Sequence, residues 1–149
     1  MSKAAELAAL IVDVNTTEAK TDELTGKTSA GSIAVTGEGG STTTNLQQGL
    51  AKAWVNFNGT GTIATRDSFN VSSISDEGSG LYQYDFSNAM SNANYSGSGM
   101  IGERNNNNNR NIEFGVTYST TALDLNCGDG VGNTVDPSDV SSQIFGDLA

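Results

Sequence analysis

The stretch Ala51–Phe86, AKAWVNFNGTGTIATRDSFNVSSISDEGSGLYQYDF, decides the fold because its apolar side chains recur at every second residue. Ala53, Val55 and Phe57 share one side of an extended segment, and Leu81–Phe86 places its aromatic residues on one side in the same way. Successive side chains of a β-strand point to opposite faces of a sheet. This period of two therefore predicts strands that are buried on one side.

Glycine- and asparagine-rich turns separate further segments of the same kind. The turn sequences are NGTG at 58–61, DEGSG at 76–80, SNAN at 91–94 and GDGVGNTVDPSD at 128–139. The alternation returns in Ile112–Tyr118, and the last ten residues are typical of a closing strand. Short strands at this spacing, without helical patterns between them, predict a mainly β fold. We expect an antiparallel β-sandwich or small barrel, preceded by a short N-terminal helix and an extended arm.

The N-terminal segment has a helical period instead. Leu7, Leu10, Ile11 and Val14 lie at positions i, i+3, i+4 and i+7, which predicts one apolar stripe on a helix. So short a helix is marginal in water and needs a partner, which could be its own domain, another protein or further copies of this chain. We predict an anchoring or oligomerisation helix at 1–15, a polar Gly/Thr-rich arm or linker at 16–51 and a β-sandwich domain at 52–149.

Composition excludes several classes of function. The net charge is −10 and the sequence pI is about 4.1, so the electrostatic field of the chain opposes binding to nucleic acid or to an anionic membrane surface. Histidine is absent and Cys127 is the single cysteine, so there is neither the usual general base nor an intrachain disulfide. Glu6 and Asp13 interrupt the early apolar run. We therefore predict a soluble protein made in a cytoplasm, without its own export signal, membrane insertion or cofactor.

The run of five asparagines in GERNNNNNRN, residues 102–111, lies between two predicted strands, and we interpret it as a hairpin loop. Asparagine tolerates turn conformations and hydrates well, so this loop needs no function. Alternatively, its amides and the flanking arginines form a contact surface for sugars or another protein. The residues of this candidate contact loop are Arg104, Asn105, Asn106, Asn107, Asn108, Asn109 and Arg110.

Two sets of carboxylates and the aromatic residues are further candidates. The four aspartates of the first set lie around the late glycine-rich loop, but their spacing does not match a twelve-residue calcium loop, so we predict no metal site. Those of the second set could pair for glycoside hydrolysis, but a domain this small offers little cleft, so we predict no enzyme. The aromatic residues suit a core or subunit interface, or stacking on sugars. The first set is Asp124, Asp129, Asp136 and Asp139, the second is Asp67, Asp76 and Asp85, and the aromatic residues are Trp54, Tyr82, Tyr84, Tyr95 and Tyr118.

Several segments resemble a module of virion proteins from tailed bacteriophages, especially marine ones, of the kind labelled tail fibre or structural protein. They are residues 51–90, NANYS at 92–96, IFGDLA at 144–149, MSKAAELAALI at 1–11 and the stretch 25–54. Together they cover most of the chain. Residues 102–138 show no pattern of that family.

The resemblance implies a non-enzymatic, tail-fibre-like homotrimer that is assembled in the host cytoplasm and located in the virion. Its N-terminal segment would attach to other virion proteins, and its outward β domain would contact a glycan or protein of the host surface. Two alternatives remain open. One is a fibre or knob that decorates the capsid surface, and the other is a polysaccharide-degrading or carbohydrate-binding module.

Overall fold

The computed structural model describes residues 23–26, 28–29, 31–102 and 110–149, without the side chains of Val116 and Thr117. The chain divides into two units, residues 1–33 and residues 34–149. In the first unit, the Thr25 hydroxyl donates to the Glu23 carboxylate over 2.9 Å. No helix in the described part of the chain is long and apolar enough to cross a membrane.

The predicted N-terminal helix lies outside the described residues. Its stripe of Leu7, Leu10, Ile11 and Val14 therefore stays a prediction. The same is true of Arg104–Asn109 in the candidate contact loop.

The second unit is built from short strands, and its described residues include one helical turn. These elements are β1 (Ala34–Thr36), β2 (Thr43–Asn45), α1 (Leu46–Gly49), β3 (Ala53–Asn58), β4 (Ala64–Phe69), β5 (Val71–Gly78), β6 (Leu81–Phe86), β7 (Ser96–Gly102), β8 (Asn111–Tyr118), β9 (Ala122–Gly128) and β10 (Asp139–Phe145).

The segment before the main sheets is a small hairpin followed by the helical turn. Strands β1 and β2 pair antiparallel, and every residue of both is exposed. The Asn45 side chain caps α1 by accepting from the amides of Gln47 and Gln48, over 2.9 and 3.2 Å. Lys52 follows the helical turn and binds its C-terminal end. Its ammonium group donates to the Leu50 carbonyl over 2.7 Å and to the Gln47 carbonyl.

Eight strands form two four-stranded antiparallel sheets, which confirms the predicted β-sandwich. Sheet I has the order β4-β3-β10-β7 and sheet II has the order β5-β6-β9-β8. The inward side chains of the two sheets form one hydrophobic core. The alternation read from the sequence gives the correct inward side in β3 and β6, where Phe57, Tyr82 and Tyr84 are all at most 1 % exposed.

Aromatic rings on these two strands pack edge to face. The rings of Phe57 and Tyr82 have centroids 5.0 Å apart and an interplanar angle of 76°. Phe86 packs in the same way against Tyr84 at 5.9 Å and against Tyr95 at 5.8 Å. Such pairs contribute about 0.5–1.5 kcal/mol each beyond their burial. Strand β9, which the sequence analysis did not identify, completes this core with Leu123, Leu125 and Cys127, which are equally buried.

Asn70 lies between β4 and β5, where the chain passes from sheet I to sheet II. Its φ of 56° is in the left-handed region, which asparagine tolerates better than most residues. Its side-chain amide donates to the carbonyls of Lys52 and Asn88 over 3.0 and 3.1 Å, and its side-chain oxygen accepts from the Asn88 amide over 2.7 Å. Asn70 therefore holds the bend and joins it to the end of β6.

This geometry predicts an order of stability for two variants of Asn70. Asn70→Gly keeps the left-handed backbone but loses the side-chain hydrogen bonds, each of which contributes about 1 kcal/mol. Asn70→Ala loses the same bonds and also places a Cβ in the left-handed region, at a further cost of roughly 1–2 kcal/mol. Urea unfolding should therefore give wild type, Gly and Ala in decreasing order of stability. Equal stability of the Gly and Ala variants would show that a Cβ in the left-handed region at position 70 carries no cost.

The predicted hairpin around the asparagine run is wrong, since its two strands belong to different sheets. Strand β7 pairs with β10 in sheet I, whereas β8 pairs with β9 in sheet II.

Two inward glycines of β7 allow the edges of the two sheets to approach. A Cβ on Gly97 would lie 2.9 Å from the Phe114 ring, and one on Gly99 would lie 2.8 Å from Ile112. The loop therefore connects the two sheets of the sandwich.

Candidate binding face

The outer face of sheet I is defined by the residues that alternate with its buried positions. Register places Trp54 of β3 opposite Phe69 of β4 on one side and opposite Gln143 of β10 on the other. Gln143 in turn lies opposite Ser98 of β7. Directly opposite residues on one face have Cβ atoms about 4.5–5.5 Å apart, so these four residues form one continuous row across the sheet.

A second row runs parallel to the first. It consists of Asp67 on β4, Asn56 on β3, Ser141 on β10 and Met100 on β7, which are opposite one another in register. The three large apolar side chains of the two rows are all solvent-exposed. Trp54 is 36 % exposed, Phe69 50 % and Met100 70 %. A sheet face with several exposed apolar side chains is suited to contact another molecule.

The two rows enclose an open groove of about 410 Å³ on this face. Trp54 and Asn56 line it from β3, and Met100 lines it from β7. Its centre consists of Ser141 and Gln143 of β10, together with the small residues Ser98 and Gly99 of β7. The groove exists because the large side chains of Trp54 on β3 and Met100 on β7 flank small and polar ones between them. Its volume is within the roughly 300–1,000 Å³ that is common for small-molecule sites.

Hydrogen bonds orient the polar groups of the groove and leave capacity for a ligand. The Gln143 amide donates to the Ser98 hydroxyl over 3.1 Å, and the Asn56 amide donates to the Ser141 hydroxyl over 2.7 Å. Arg66 donates to the side-chain oxygen of Asn56 over 3.2 Å. Each serine hydroxyl is thus used as an acceptor and keeps its proton to donate. Among the described residues, the side-chain oxygen of Gln143 accepts no hydrogen bond, so the groove presents at least the two hydroxyl donors and this acceptor.

The outer face of sheet I carries fewer charged residues than that of sheet II, and Asp67 lies on it directly opposite Asn56. The strands of sheet I contain Arg66, Asp67 and Asp139, and Arg66 forms an ion pair with Asp139 over 3.0 Å at one end of the sheet. No residue that lines the groove is charged. The strands of sheet II contain five Asp and Glu residues and no Lys or Arg. The negative charge of the sandwich therefore lies mainly on the sheet opposite the groove.

Sheet II has a groove of its own, with a volume of about 530 Å³. Its lining includes the carboxylates of Glu77, Glu113 and Asp124, and the Gln83 amide donates to Asp124 over 2.8 Å. Within the described ranges, no group of three or more acidic or cysteine side chains is arranged to hold a metal ion. This groove is therefore acidic, but it has no assembled ligand set.

The fold disperses both sets of aspartates that the sequence analysis considered. Asp124 lies within β9, and Asp139 forms the ion pair with Arg66. Asp136 accepts from the Gly80 amide over 2.6 Å and from the Tyr82 hydroxyl over 3.1 Å. These three carboxylates therefore lie in separate parts of the structure.

Asp129 stabilises its own loop. The Asn133 side chain donates to it over 2.7 Å, and the backbone amides of Asn133 and Val131 donate over 3.0 Å. These bonds, with a smaller contribution from the positive charge of Arg110, hold the pKa of Asp129 below its usual value. Asp129 is therefore a turn residue in this structure.

The second set of aspartates is equally scattered. Asp67 accepts from the Ser68 amide on β4, Asp76 from the Gly78 amide on β5, and Asp85 from the Ser73 hydroxyl across β5 and β6. Each carboxylate thus forms a local hydrogen bond on its own strand or with the neighbouring one. The structure gives no pairing of two of them across a cleft.

The aromatic residues that the sequence analysis considered together are divided by the fold. Tyr82, Tyr84 and Tyr95 belong to the core, whereas Trp54 and Tyr118 are exposed. The sequence contained a signal for this division in β3, where Trp54 lies between the inward residues Ala53 and Val55. The other groove residues carried no such signal, because only the strand register places them beside Trp54. They are Asn56, Ser98, Met100, Ser141 and Gln143, with Phe69 at the end of the row.

No family model, curated protein or solved structure matches this chain. The outer face of sheet I is therefore the candidate functional site on the strength of its own geometry and chemistry.

Proposed function

We propose that this protein is a non-enzymatic structural protein of a tailed bacteriophage particle. In this proposal it is a short, trimeric, tail-fibre-like appendage whose β-sandwich faces outward and contacts the host surface. The N-terminal segment attaches it to other virion proteins. The resemblance of residues 1–11, 25–54 and 51–90 to virion proteins supports this function.

The observation that carries the proposal is the contrast between the two outer faces of the sandwich. The core is filled by the chain's own strands, with Val140, Ile144 and Leu123 fully buried. Sheet II then presents an acidic surface, whereas sheet I presents exposed apolar side chains around a groove whose lining residues are uncharged. A domain that presents such a groove on a stable β scaffold is suited to surface contact.

Gold-labelled antibodies against residues 52–149, applied to purified particles and imaged by electron microscopy, test the proposed location. Label confined to the tail is the expected result. Label over the shell would replace this proposal with a capsid-surface decoration protein. Particles that carry no label, from cells in which the protein is abundant, would refute a virion role.

The trimer has a test of its own. We expect light scattering of the full chain to give three times the monomer mass of 15.4 kDa. Leu7→Asp with Leu10→Asp places charges on the predicted apolar stripe and should give monomers, because a buried carboxylate strongly opposes packing of such a seam. Ala8→Asp with Ala9→Asp adds the same charge beside the stripe and should remain trimeric. A monomeric wild type, or equal behaviour of the two double variants, would contradict assembly through this helix.

A further inference from the structure

We propose that the groove on the outer face of sheet I binds a neutral oligosaccharide, with Trp54 as its stacking platform. The inference assigns a ligand class to the host contact proposed above and rests on that function for its biological setting. The binding itself is a property of the isolated protein and is tested separately from the location in the virion.

The first argument is the combination of surfaces in the groove. One side of a pyranose ring is a patch of C–H groups, which packs well on the face of an aromatic ring, and its rim is a series of hydroxyls that both donate and accept hydrogen bonds. Trp54 supplies a partly exposed indole. Beside it, the Ser98 and Ser141 hydroxyls can donate and the side-chain oxygen of Gln143 can accept.

The second argument is that these polar groups are already positioned. Gln143 and Ser98 hold each other across β10 and β7, and Asn56 holds Ser141 across β3 and β10. Arg66 fixes Asn56 from outside the groove, because it also donates to the backbone carbonyls of Phe57 and Ser138 over 3.0 and 2.6 Å. Groups mounted on paired strands lose little freedom when a ligand binds, which favours affinity for a weakly interacting ligand such as a sugar.

The third argument is charge. The groove has no charged lining residue in a chain whose net charge is −10. An anionic glycan would be repelled by the surrounding field, and the cation nearest to the groove lining, Arg66 beside Asn56, is already paired with Asp139. A neutral glycan avoids both effects, so the electrostatics select neutral over sulfated, phosphorylated or uronic-acid chains.

A protein partner fits this face less well. Trp54 and Phe69 lie at one side and Met100 at the other, with Ser141 and Gln143 between them. The apolar groups therefore do not form the continuous patch that is usual at the centre of a protein interface. A protein would have to satisfy the polar groups between them on desolvation, whereas sugar hydroxyls provide the required donors and acceptors.

Trp54 is the single tryptophan of the chain, so the intrinsic fluorescence of the unmodified protein reports directly on this groove. Titration with cello-, xylo-, manno-, malto- and galacto-oligosaccharides should give a saturable change in emission with at least one neutral series. Oligogalacturonate and heparin fragments of similar length serve as charged controls and should give none. The proposal is overturned if no neutral oligosaccharide of this set binds.

Variants locate the site, with affinities measured by calorimetry because Trp54→Ala removes the fluorophore. Trp54→Ala should weaken binding about tenfold or more, and Gln143→Ala about fivefold. Glu113→Gln on the opposite sheet and replacement of Asn105–Asn109 by Gly-Ser are matched controls and should bind normally. Circular dichroism verifies that each variant is folded.

Three further outcomes would change the assignment of the sugar site, of this face or of the virion role. Loss of binding only in the loop replacement would place the sugar site at the asparagine run and overturn the assignment to sheet I. A change of oligomeric mass in Trp54→Ala, with sugar binding unaffected, would make this face a subunit interface. Sugar binding by the purified protein together with a failure to label particles would leave the site standing and remove the virion role.

Discussion

Deletion of residues 139–149 is expected to abolish folding of the β-sandwich. This segment contains β10, which lies between β3 and β7 and forms the ladder to both. Its inward residues Val140 and Ile144 are fully buried. Loss of two such side chains costs about 2–5 kcal/mol each, which already approaches the roughly 5–15 kcal/mol of stability of a typical domain. β7 would also lose its described partner in sheet I.

The measurement is far-UV circular dichroism with thermal and urea unfolding. Deletion of residues 1–11 removes the same number of residues from the other end, and the shortened chain should still unfold cooperatively, because residues 34–149 form a unit of their own. A chain without 139–149 that retained the wild-type transition would show that β10 is not the central strand of sheet I.

A steep loss of stability above about pH 10 is the second large effect that we expect. Burial raises the pKa of Tyr95 and of Cys127 to about 12 and raises the pKa of Tyr84 above its usual range. Burial does the same for Tyr82, with a contribution from the nearby carboxylate of Asp136. These four groups stay neutral in the folded protein at pH values where they ionise in the unfolded chain.

The sign of the effect follows from these raised values. Stability is fully present below the unfolded pKa values of 9.0 for cysteine and 10.0 for tyrosine, and it is lost as the pH rises toward the folded values. Each group that ionises only in the unfolded state lowers the free energy of unfolding by about 1.4 kcal/mol per pH unit. Lys52 has the opposite influence, since burial lowers its pKa, but it is one group against four.

Urea midpoints between pH 7 and 11.5 measure this dependence. Tyr84→Phe removes one of the four groups and should make the alkaline decline shallower, although it also loses the 3.3 Å bond from the Ser142 hydroxyl. A free energy of unfolding that stays constant to pH 11.5 would contradict the role of buried neutral hydroxyls.

Local patterns were sufficient for several of the strands and for the sides that these strands bury. The period of two in β3 and β6 identified the inward residues correctly, because side-chain direction in a strand depends only on sequence parity. The glycine-rich segments between strands likewise identified turns, although the one predicted at 76–80 is confined to residues 79–80, because β5 extends to Gly78. Strand β9 was not predicted, although Leu123, Leu125 and Cys127 alternate in the same way.

These local patterns did not predict which strands pair with each other. Nothing in the residues of β3 says that β10, at the other end of the domain, lies beside it. The interpretation of the asparagine run as a hairpin failed for this reason, since adjacent strands in the chain need not be adjacent in a sheet. Gly97 and Gly99 contained the relevant information, but their meaning depends on the positions of Phe114 and Ile112 across the sandwich.

The candidate binding face shows the same division. The sequence by itself determined that this is an acidic, histidine-free chain of short, one-sided strands, and that Trp54 lies out of phase with the buried positions of β3. Only the tertiary structure decided that Phe69, Gln143, Ser98 and Met100 join Trp54 on one face around an uncharged groove, with more of the acidic residues on the strands of the opposite sheet. The physical reason is that parity along a strand is local, whereas the register between strands is settled by burial of all eight strands around one core.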